Sequence, residues 1–282
     1  MSQGLTNTKR RIQSISSTEK ITKAMELVAT VKLKKWKDKM ENIVSYLNSM
    51  SEIISVCASD VAFSDILELT EFEDATINLY IVVTSSLGLC GGYNYNIFKF
   101  LNGKISKNDK VIIVGTKGLH KLSHEDMDID GEYVSILDKI DFSKVGSIVN
   151  YIRREYESKI YKKVILISTE YINSLTFIPK EYQLLPLCNI DNEDKGFSKE
   201  VIYEPSKEGV LGLLIPKYLN TFIYGRFVEA MVCEQASRRN AMDSATDNAE
   251  DLLEKLKIEY NKARQGAITQ EITEVVAGAN NS

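Results

Sequence analysis

The 282-residue sequence predicts a mixed α/β fold in which a small strand-rich domain is inserted between two very long helices. Three observations carry that prediction. The first is an apolar stripe that runs, without glycine, from Leu5 to about Ala58. The second is a similar stripe from roughly Ser206 to Gly278. The third is a middle region where short β-branched runs alternate with helical periodicity.

In the N-terminal segment the stripe reads Ile12, Ile15, Ile21, Met25, Val28, Leu33, Trp36, Met40, Ile43 or Val44, Leu47, Met50 and Ile54. Spacings of three and four are the signature of one face of an α-helix. Fifty helical residues extend about 75 Å at a rise of ~1.5 Å per residue. The C-terminal series reads Leu214, Tyr218, Phe222, Phe227, Met231, Ala241, Ala245, Leu252, Leu256, Tyr260, Ala263, Ile268, Ile272 and Val275. Pro216 lacks an N–H and restricts Ile215, so it predicts a kink or a restart. A helix this long has no globular core to bury its stripe against and needs a second long helix. The other terminus supplies it, which predicts an antiparallel two-stranded coiled coil.

Ile77–Thr84, Lys110–Gly115 and Lys163–Ser168 are short β-rich runs, and Leu175–Leu185 predicts a fourth strand. Helical stretches at Asn94–Leu101 and Phe142–Ser158 separate them. Strands alternating with helices predict a largely parallel sheet in a Rossmann-like α/β domain. The expected organisation is an N-terminal coiled-coil helix over 1–60, the α/β domain over 75–190, and a C-terminal coiled-coil helix over 206–282 that pairs with the first.

Composition narrows the function. With 44% hydrophobic and 26% charged residues the profile is that of a soluble globular chain. No run of about 18 apolar residues exists to span a membrane, and Met1–Lys9 does not read as a secretory signal. Cys57, Cys90, Cys188 and Cys233 form no CxxC pair and are expected as reduced thiols. A net charge of -4 predicts no general affinity for nucleic acid or membrane. Its distribution is uneven. Residues 1–40 hold ten bases against three acids, and residues 41–75 hold eight acids and no base. A basic first helix implies an acidic partner surface or an acidic neighbour in the fold.

No catalytic, cofactor or metal constellation stands out. Gly88-Leu89-Cys90-Gly91-Gly92 follows a strand and precedes a helix, where α/β folds bind phosphates. It is neither GxGxxG nor GxxxxGK[ST], and it reads better as a tight turn. His120 and His124 share a face if their stretch is helical, but no HExxH or neighbouring Cys completes a zinc site. Trp36 lies among Lys32, Lys34, Lys35 and Lys37, a nucleic-acid-like cluster, yet its spacing from Leu33 and Met40 suits packing. Near the C-terminus Ala263, Gly266, Ala267, Ala277, Gly278 and Ala279 make a slim helix end carrying Arg264, Gln265, Thr269, Gln270 and Glu271. Slim helices fit narrow channels.

Three strings resemble one family. They are Glu19-Lys20-Ile21-Thr22-Lys23-Ala24-Met25-Glu26-Leu27-Val28-Ala29, the Gly88–Asn94 turn, and Glu234-Gln235-Ala236-Ser237-Arg238 with Ala245-Thr246-Asp247-Asn248-Ala249 and Tyr260–Glu274. Together they are similar to the gamma subunits of bacterial ATP synthases across nearly the whole chain. The resemblance implies a non-catalytic rotor shaft, without cofactor or metal, in the axis of a hexameric ring of alternating alpha and beta subunits. Turning of the shaft would drive the beta subunits through their catalytic states, coupling ATP synthesis or hydrolysis to proton transport. It implies an epsilon subunit and a c-ring at the lower end, and a peripheral place on the cytoplasmic face of the cell membrane.

Carried over by position, Lys20, Lys23 and Met25 would face an acidic motif of beta. Arg238, Arg264, Gln265, Thr269 and Glu271 would meet loops of the ring. Ile272, Val275 and Val276 would form an apolar tip bearing. The chain departs from the family at Ser86 and Leu87, at Lys32–Lys35, and at Arg239, Asn240 and Asp243. These departures leave open the shaft of a paralogous rotary ATPase driving a load other than an ion ring. Two unrelated readings remain: a nucleotide-binding enzyme built on the α/β domain, and a coiled-coil scaffold or nucleic-acid binder using the basic helix.

Overall fold

The computed structural model describes residues 3–58, 67–72, 74–125, 127–187, 204 and 206–279. Helix α1 runs Gln3–Ala58, followed by strand β1 (Ile77–Val83) and helix α2 (Tyr93–Leu101). Next come β2 (Lys110–Val114), α3 (Thr116–Leu122), β3 (Asp128–Asp130) and α4 (Phe142–Glu157). β4 (Tyr161–Tyr171), β5 (Phe177–Leu185) and helix α5 (Lys207–Ala279) complete the chain. Two compact units share the long helices: residues 1–30 with 238–282, and residues 31–237.

In the larger unit five strands form one sheet in the order β3-β2-β1-β4-β5. β1 is parallel to both β2 and β4, β3 is parallel to β2, and only the β4–β5 pair is antiparallel. Connections leave β1 in one direction and return across it to β4, which is the doubly wound arrangement. Period-two alternation distributes the apolar residues to both faces. Leu79, Ile81 and Val83 of β1 join Ile112 and Val114 against α4 and α5, through Val145, Ile148, Ile152, Leu211, Ile215 and Leu219. Tyr80 and Val82 join Val111 and Ile113 against α2 and α3, through Ile97, Leu101 and Leu122. A sheet covered on both faces is why its strands read as unbroken apolar runs.

β3 was not legible in the sequence, because Asp128-Ile129-Asp130 is short and two-thirds acidic. Pro216 does not restart the C-terminal helix, which runs through it as one element. Ile215 and Leu219 on either side are fully buried, so packing holds the turn that the missing N–H weakens.

The two long helices also pair in this unit. Leu33 of α1 clusters with Val232 and Ala236 of α5, flanked by Trp36 and Met40. Further along, Gly225 comes so close to α1 that a Cβ there would lie 3.0 Å from Ile43 and 3.3 Å from Leu47. Higher numbers on α1 therefore meet lower numbers on α5, as an antiparallel pair requires. Trp36 packs as its spacing predicts, with Lys39 over its ring.

The stripe on α5 is rotated from the one the sequence suggests. Leu211, Ile215, Leu219, Ile223 and Phe227 are buried, whereas Leu214, Tyr218 and Phe222 flank them. On α1, Ile21 and Val28 are 60% and 55% exposed, and Thr22 and Ala29 take the buried positions.

Cys57, Cys90 and Cys233 are buried thiols outside any disulfide. Cys188 lies outside the described residues. Burial first, and then the carboxylate of Glu229, push the Cys233 thiol far above the usual thiol range. Cys233 in the native chain is therefore expected to resist a maleimide at pH 8 and to react after denaturation, read by mass spectrometry.

Gly115 ends β2 at φ +99°, and a Cβ there would sit 2.2 Å from the carbonyl oxygen of Thr84. Gly103 has φ +77° with open space around it. In thermal denaturation Gly115→Ala is expected to cost more than ~3 kcal/mol, while Gly103→Ala costs only ~1 kcal/mol.

Candidate functional site

The Gly88–Gly92 turn leads from β1 into α2, and its polar groups are engaged with one another. The Ser85 N–H donates to Asn94 Oδ1 at 3.0 Å, and Asn94 Nδ2 donates to Ser85 Oγ at 2.7 Å. Ser85 Oγ donates to the Leu87 carbonyl at 2.7 Å, and Ser237 Oγ of α5 donates to the Cys90 carbonyl at 2.6 Å. Leu89 and Gly91 adopt positive φ. The turn thus fastens β1, α2 and α5 together, which matches its reading as a tight connection. Leu87 and Leu89 point outward, each 64% exposed.

The histidines do not share a helix face. α3 ends at Leu122, so His124 lies in the turn beyond it, and the exposed rings meet edge to face at 5.8 Å. Among the described residues no group of three or more His, Cys, Asp or Glu side chains is placed to hold a metal ion. Nor is any described helix long and apolar enough to cross a membrane.

The candidate contact residues fall on α1 and α5 within the smaller unit. Thr22 and Thr246 share a buried hydrogen bond of 2.7 Å. Thr246 Oγ1 also donates to the Met242 carbonyl at 2.9 Å. Lys23 Nζ lies 3.8 Å from Glu250 Oε1, and both side chains are over half exposed, so this pair contributes little. Lys20 is exposed and Met25 half-buried. Arg238 is buried at 6% exposure.

Arg264, Gln265, Thr269, Glu271, Ile272, Val275 and Val276 are all exposed. The structure sorts them into two rows. Gln265, Thr269, Ile272 and Val276 follow one helix face at spacings of four, three and four. Arg264, Glu271 and Val275 follow the next, with exposed Ile268 between them. Thr269 Oγ1 returns its proton to the Gln265 carbonyl at 3.0 Å. Each row is polar where it starts and apolar where it ends.

The same stretch has an unusual environment. From Lys257 to Val276 no side chain is buried, and only Tyr260 and Ala267 are even half-covered. Ile258, Ile268, Ile272, Val275 and Val276 stand in solvent. On α1, Ile21, Leu27, Val28 and Val31 do the same, with Val31 at 72%. Single exposed aliphatics are ordinary, but rows of them along a helix mark a contact surface.

Sequence reading missed this outer row on α1 because it assigned Ile21 and Val28 to the inner stripe. The signal was present: apolar residues at 21, 24, 27, 28 and 31 exceed what one narrow stripe needs. It also passed over Arg226 and Glu229, a charged i,i+3 pair inside the most apolar part of α5.

Thr246→Val is expected to lower stability by ~1–2 kcal/mol by removing the buried hydroxyl pair, which leaves Thr22 only its bond to the Glu19 carbonyl. The double change Thr22→Val with Thr246→Val should recover part of that loss, since no buried hydroxyl then faces a valine; denaturant unfolding of the four chains measures it.

Comparison with known proteins adds the following. The family model described as ATP synthase matches residues 4–281. The ATP synthase gamma chain of Mycoplasmoides gallisepticum is 39% identical over 282 residues, covering 96% of this chain and 97% of that one. The ATP synthase gamma chain of Alkaliphilus metalliredigens is 37% identical, covering 99% of each. Among solved structures, a chain of the Euglena gracilis mitochondrial ATP synthase (OSCP/F1/c-ring, rotational state 3) superimposes with a TM-score of 0.68. It is 14% identical and the match covers 98% of this chain and 94% of that one, which is a likeness of fold. A chain of the Tetrahymena thermophila central stalk and c-ring gives a TM-score of 0.57 at 24% identity, covering 80% and 99%.

Proposed function

The chain belongs to the ATP synthase gamma-chain family and has the role of its central shaft, and from that premise we propose which of its surfaces do which part of the work. The observation that carries the proposal is the uncovered end of α5. A helix that buries no side chain over residues 257–276 and covers only Tyr260 and Ala267 in part leaves nearly all of its surface open, aliphatic residues included. Its stability and its aliphatic surface both call for a surrounding partner.

A ring of alternating alpha and beta subunits is the partner that fits. Gln265, Thr269, Arg264 and Glu271 offer hydrogen bonds and charges to ring loops. Ile272, Val275 and Val276 form the apolar bearing, a surface with no directional bonds to break as the shaft turns. Lys20, Lys23 and Met25 on α1 face an acidic segment of beta, consistent with ten bases against three acids in residues 1–40. Arg238 is buried in the free chain, and in this reading it supports the helix pair where the ring loops approach it.

The shaft is not itself a catalyst. It biases the conformation of each beta subunit through contacts that differ with angle, a population shift driven by differential affinity. The α/β domain carries the lower attachments, to an epsilon subunit and a c-ring, so that the complex sits peripherally on the cytoplasmic face of the membrane. ATP chemistry stays on the ring, and the turning shaft couples it to proton transport.

An affinity-tagged chain recovered from its source cell is expected to bring alpha, beta and c subunits with it. Recovery of alpha and beta without c subunits would assign the shaft to a different load. Recovery of neither would end the proposal. In a reconstituted complex, Met25→Lys is expected to leave ATP hydrolysis intact while ion transport per ATP falls by about fivefold or more, a coupling loss of ~1 kcal/mol. Wild-type transport per ATP in that variant would remove Met25 from the coupling surface.

A further inference from the structure

The larger unit contains a partly buried polar cluster that none of the foregoing uses. It lies where α5 crosses the β4–β5 ribbon. Arg226 of α5 donates from Nη1 to the Tyr182 hydroxyl of β5 at 2.9 Å and pairs with Glu229 Oε2 at 2.7 Å. Its guanidinium stands 4.7 Å from the Tyr182 ring and 5.2 Å from the Phe222 ring. Glu229 Oε1 in turn accepts from the Tyr171 N–H of β4 at 2.9 Å. The Tyr182 hydroxyl donates onward to Glu170 Oε1 at 3.4 Å, and Lys180 Nζ closes on the same oxygen at 3.0 Å. From α1, Lys37 lies over the Tyr171 ring at 4.8 Å.

Two properties set this cluster apart from an ordinary surface network. Arg226 reaches off its own helix to the hydroxyl and ring face of Tyr182 on β5, and its carboxylate partner Glu229, also on α5, accepts from the Tyr171 N–H of β4. A planar guanidinium so gripped fixes the rotation of the helix that bears it, which apolar packing, being non-directional, does less well. The cluster is also placed one residue from Gly225, a close approach of α5 to α1. At this level α5 is wedged against α1 on one side and bonded to the sheet on the other.

We propose that Arg226 is the key that fixes the rotational phase of α5 against the β4–β5 ribbon, and so sets the torsional stiffness with which turning of the helix pair reaches the α/β domain. The inference rests on the shaft reading above and names the residue through which torque enters the sheet. Glu229 and Tyr182 act through Arg226 and are positioning residues.

The test uses the chain assembled with its alpha and beta subunits, the ring immobilised and a bead attached through Asn108→Cys on the α/β domain. The thermal angular variance of the arrested rotor reads the torsional stiffness directly. Tyr182→Phe removes one hydroxyl and keeps the ring; Arg226→Lys keeps the charge and loses the planar fork. Each is expected to widen the angular variance by about twofold, with ATP hydrolysis by the complex unchanged. Arg226→Met should widen it further. Unchanged variance in both conservative variants would overturn the proposal. So would failure of both to assemble, since the cluster would then serve folding alone. If the unaltered complex shows no ATP-driven rotation of the bead, the shaft reading itself falls and this inference with it.

Discussion

The structure depends on the pairing of two helices that are each too long to be stable alone. Neither α1 nor α5 has a propensity or a stripe sufficient to hold 56 or 73 residues in helical form in water. In each compact unit they find each other. In the larger one the contact is made by Leu33 against Val232 and Ala236, and by Gly225 against Ile43 and Leu47. In the smaller one it includes the buried Thr22–Thr246 hydrogen bond. Small residues such as Gly225, Ala236, Ala29 and Thr22 let the backbones approach closely beside bulkier Leu33, Leu47, Leu253 and Leu256. Ile21, Leu27, Val28 and Val31 are left outside the pair as a second apolar row.

The α/β domain answers a different need. A two-helix pair has little resistance to one helix turning against the other. The sheet supplies a broad rigid body on which α5 lies across its lower course, through Leu211, Ile215, Leu219 and Ile223. The directional cluster at Arg226 and Glu229 adds what apolar contacts lack. Glu229 is buried, which raises its pKa, and the neighbouring Arg226 and the Tyr171 N–H pull it back. Tyr182 is pushed up to about 12, by burial first, with Arg226 opposing. Such groups cost desolvation to assemble, and losing one partner is expensive because the other is left uncompensated.

Much of this was legible before any coordinate. The length of both helices, their antiparallel pairing and the positions of β1, β2, β4 and β5 follow from periodicity and from where glycine and proline are absent. What escaped has physical causes. β3 is too short and too acidic to announce itself. Pro216 was overruled by the packing of Ile215 and Leu219. The inner stripe of α1 was misassigned at Ile21 and Val28 because the reading sought bulky residues where Thr22 and Ala29 take the buried positions. The positions proposed to face a ring were named only through the resemblance of Lys20–Met25 and Arg264–Glu271 to a family. Nothing in a single chain marks a surface as a partner's until its burial can be compared with its composition. The Arg226 key was unreadable for a related reason: Tyr182 lies 44 residues from Arg226, and Tyr171 lies 58 residues from Glu229, and these partners meet only in the fold.

The central claim is that the outer apolar rows exist to be enclosed by a ring. Thiol labelling tests it most directly. Leu27→Cys and Val275→Cys would be introduced separately and exposed to a maleimide in the free chain and in the complex with alpha and beta subunits, with the site of labelling read by mass spectrometry. The account predicts ready labelling of both in the free chain and protection of both in the complex, while a cysteine replacing exposed Leu175 on the β4–β5 turn labels equally in either state. Equal labelling of Leu27→Cys and Val275→Cys in the free chain and the assembled complex would contradict it.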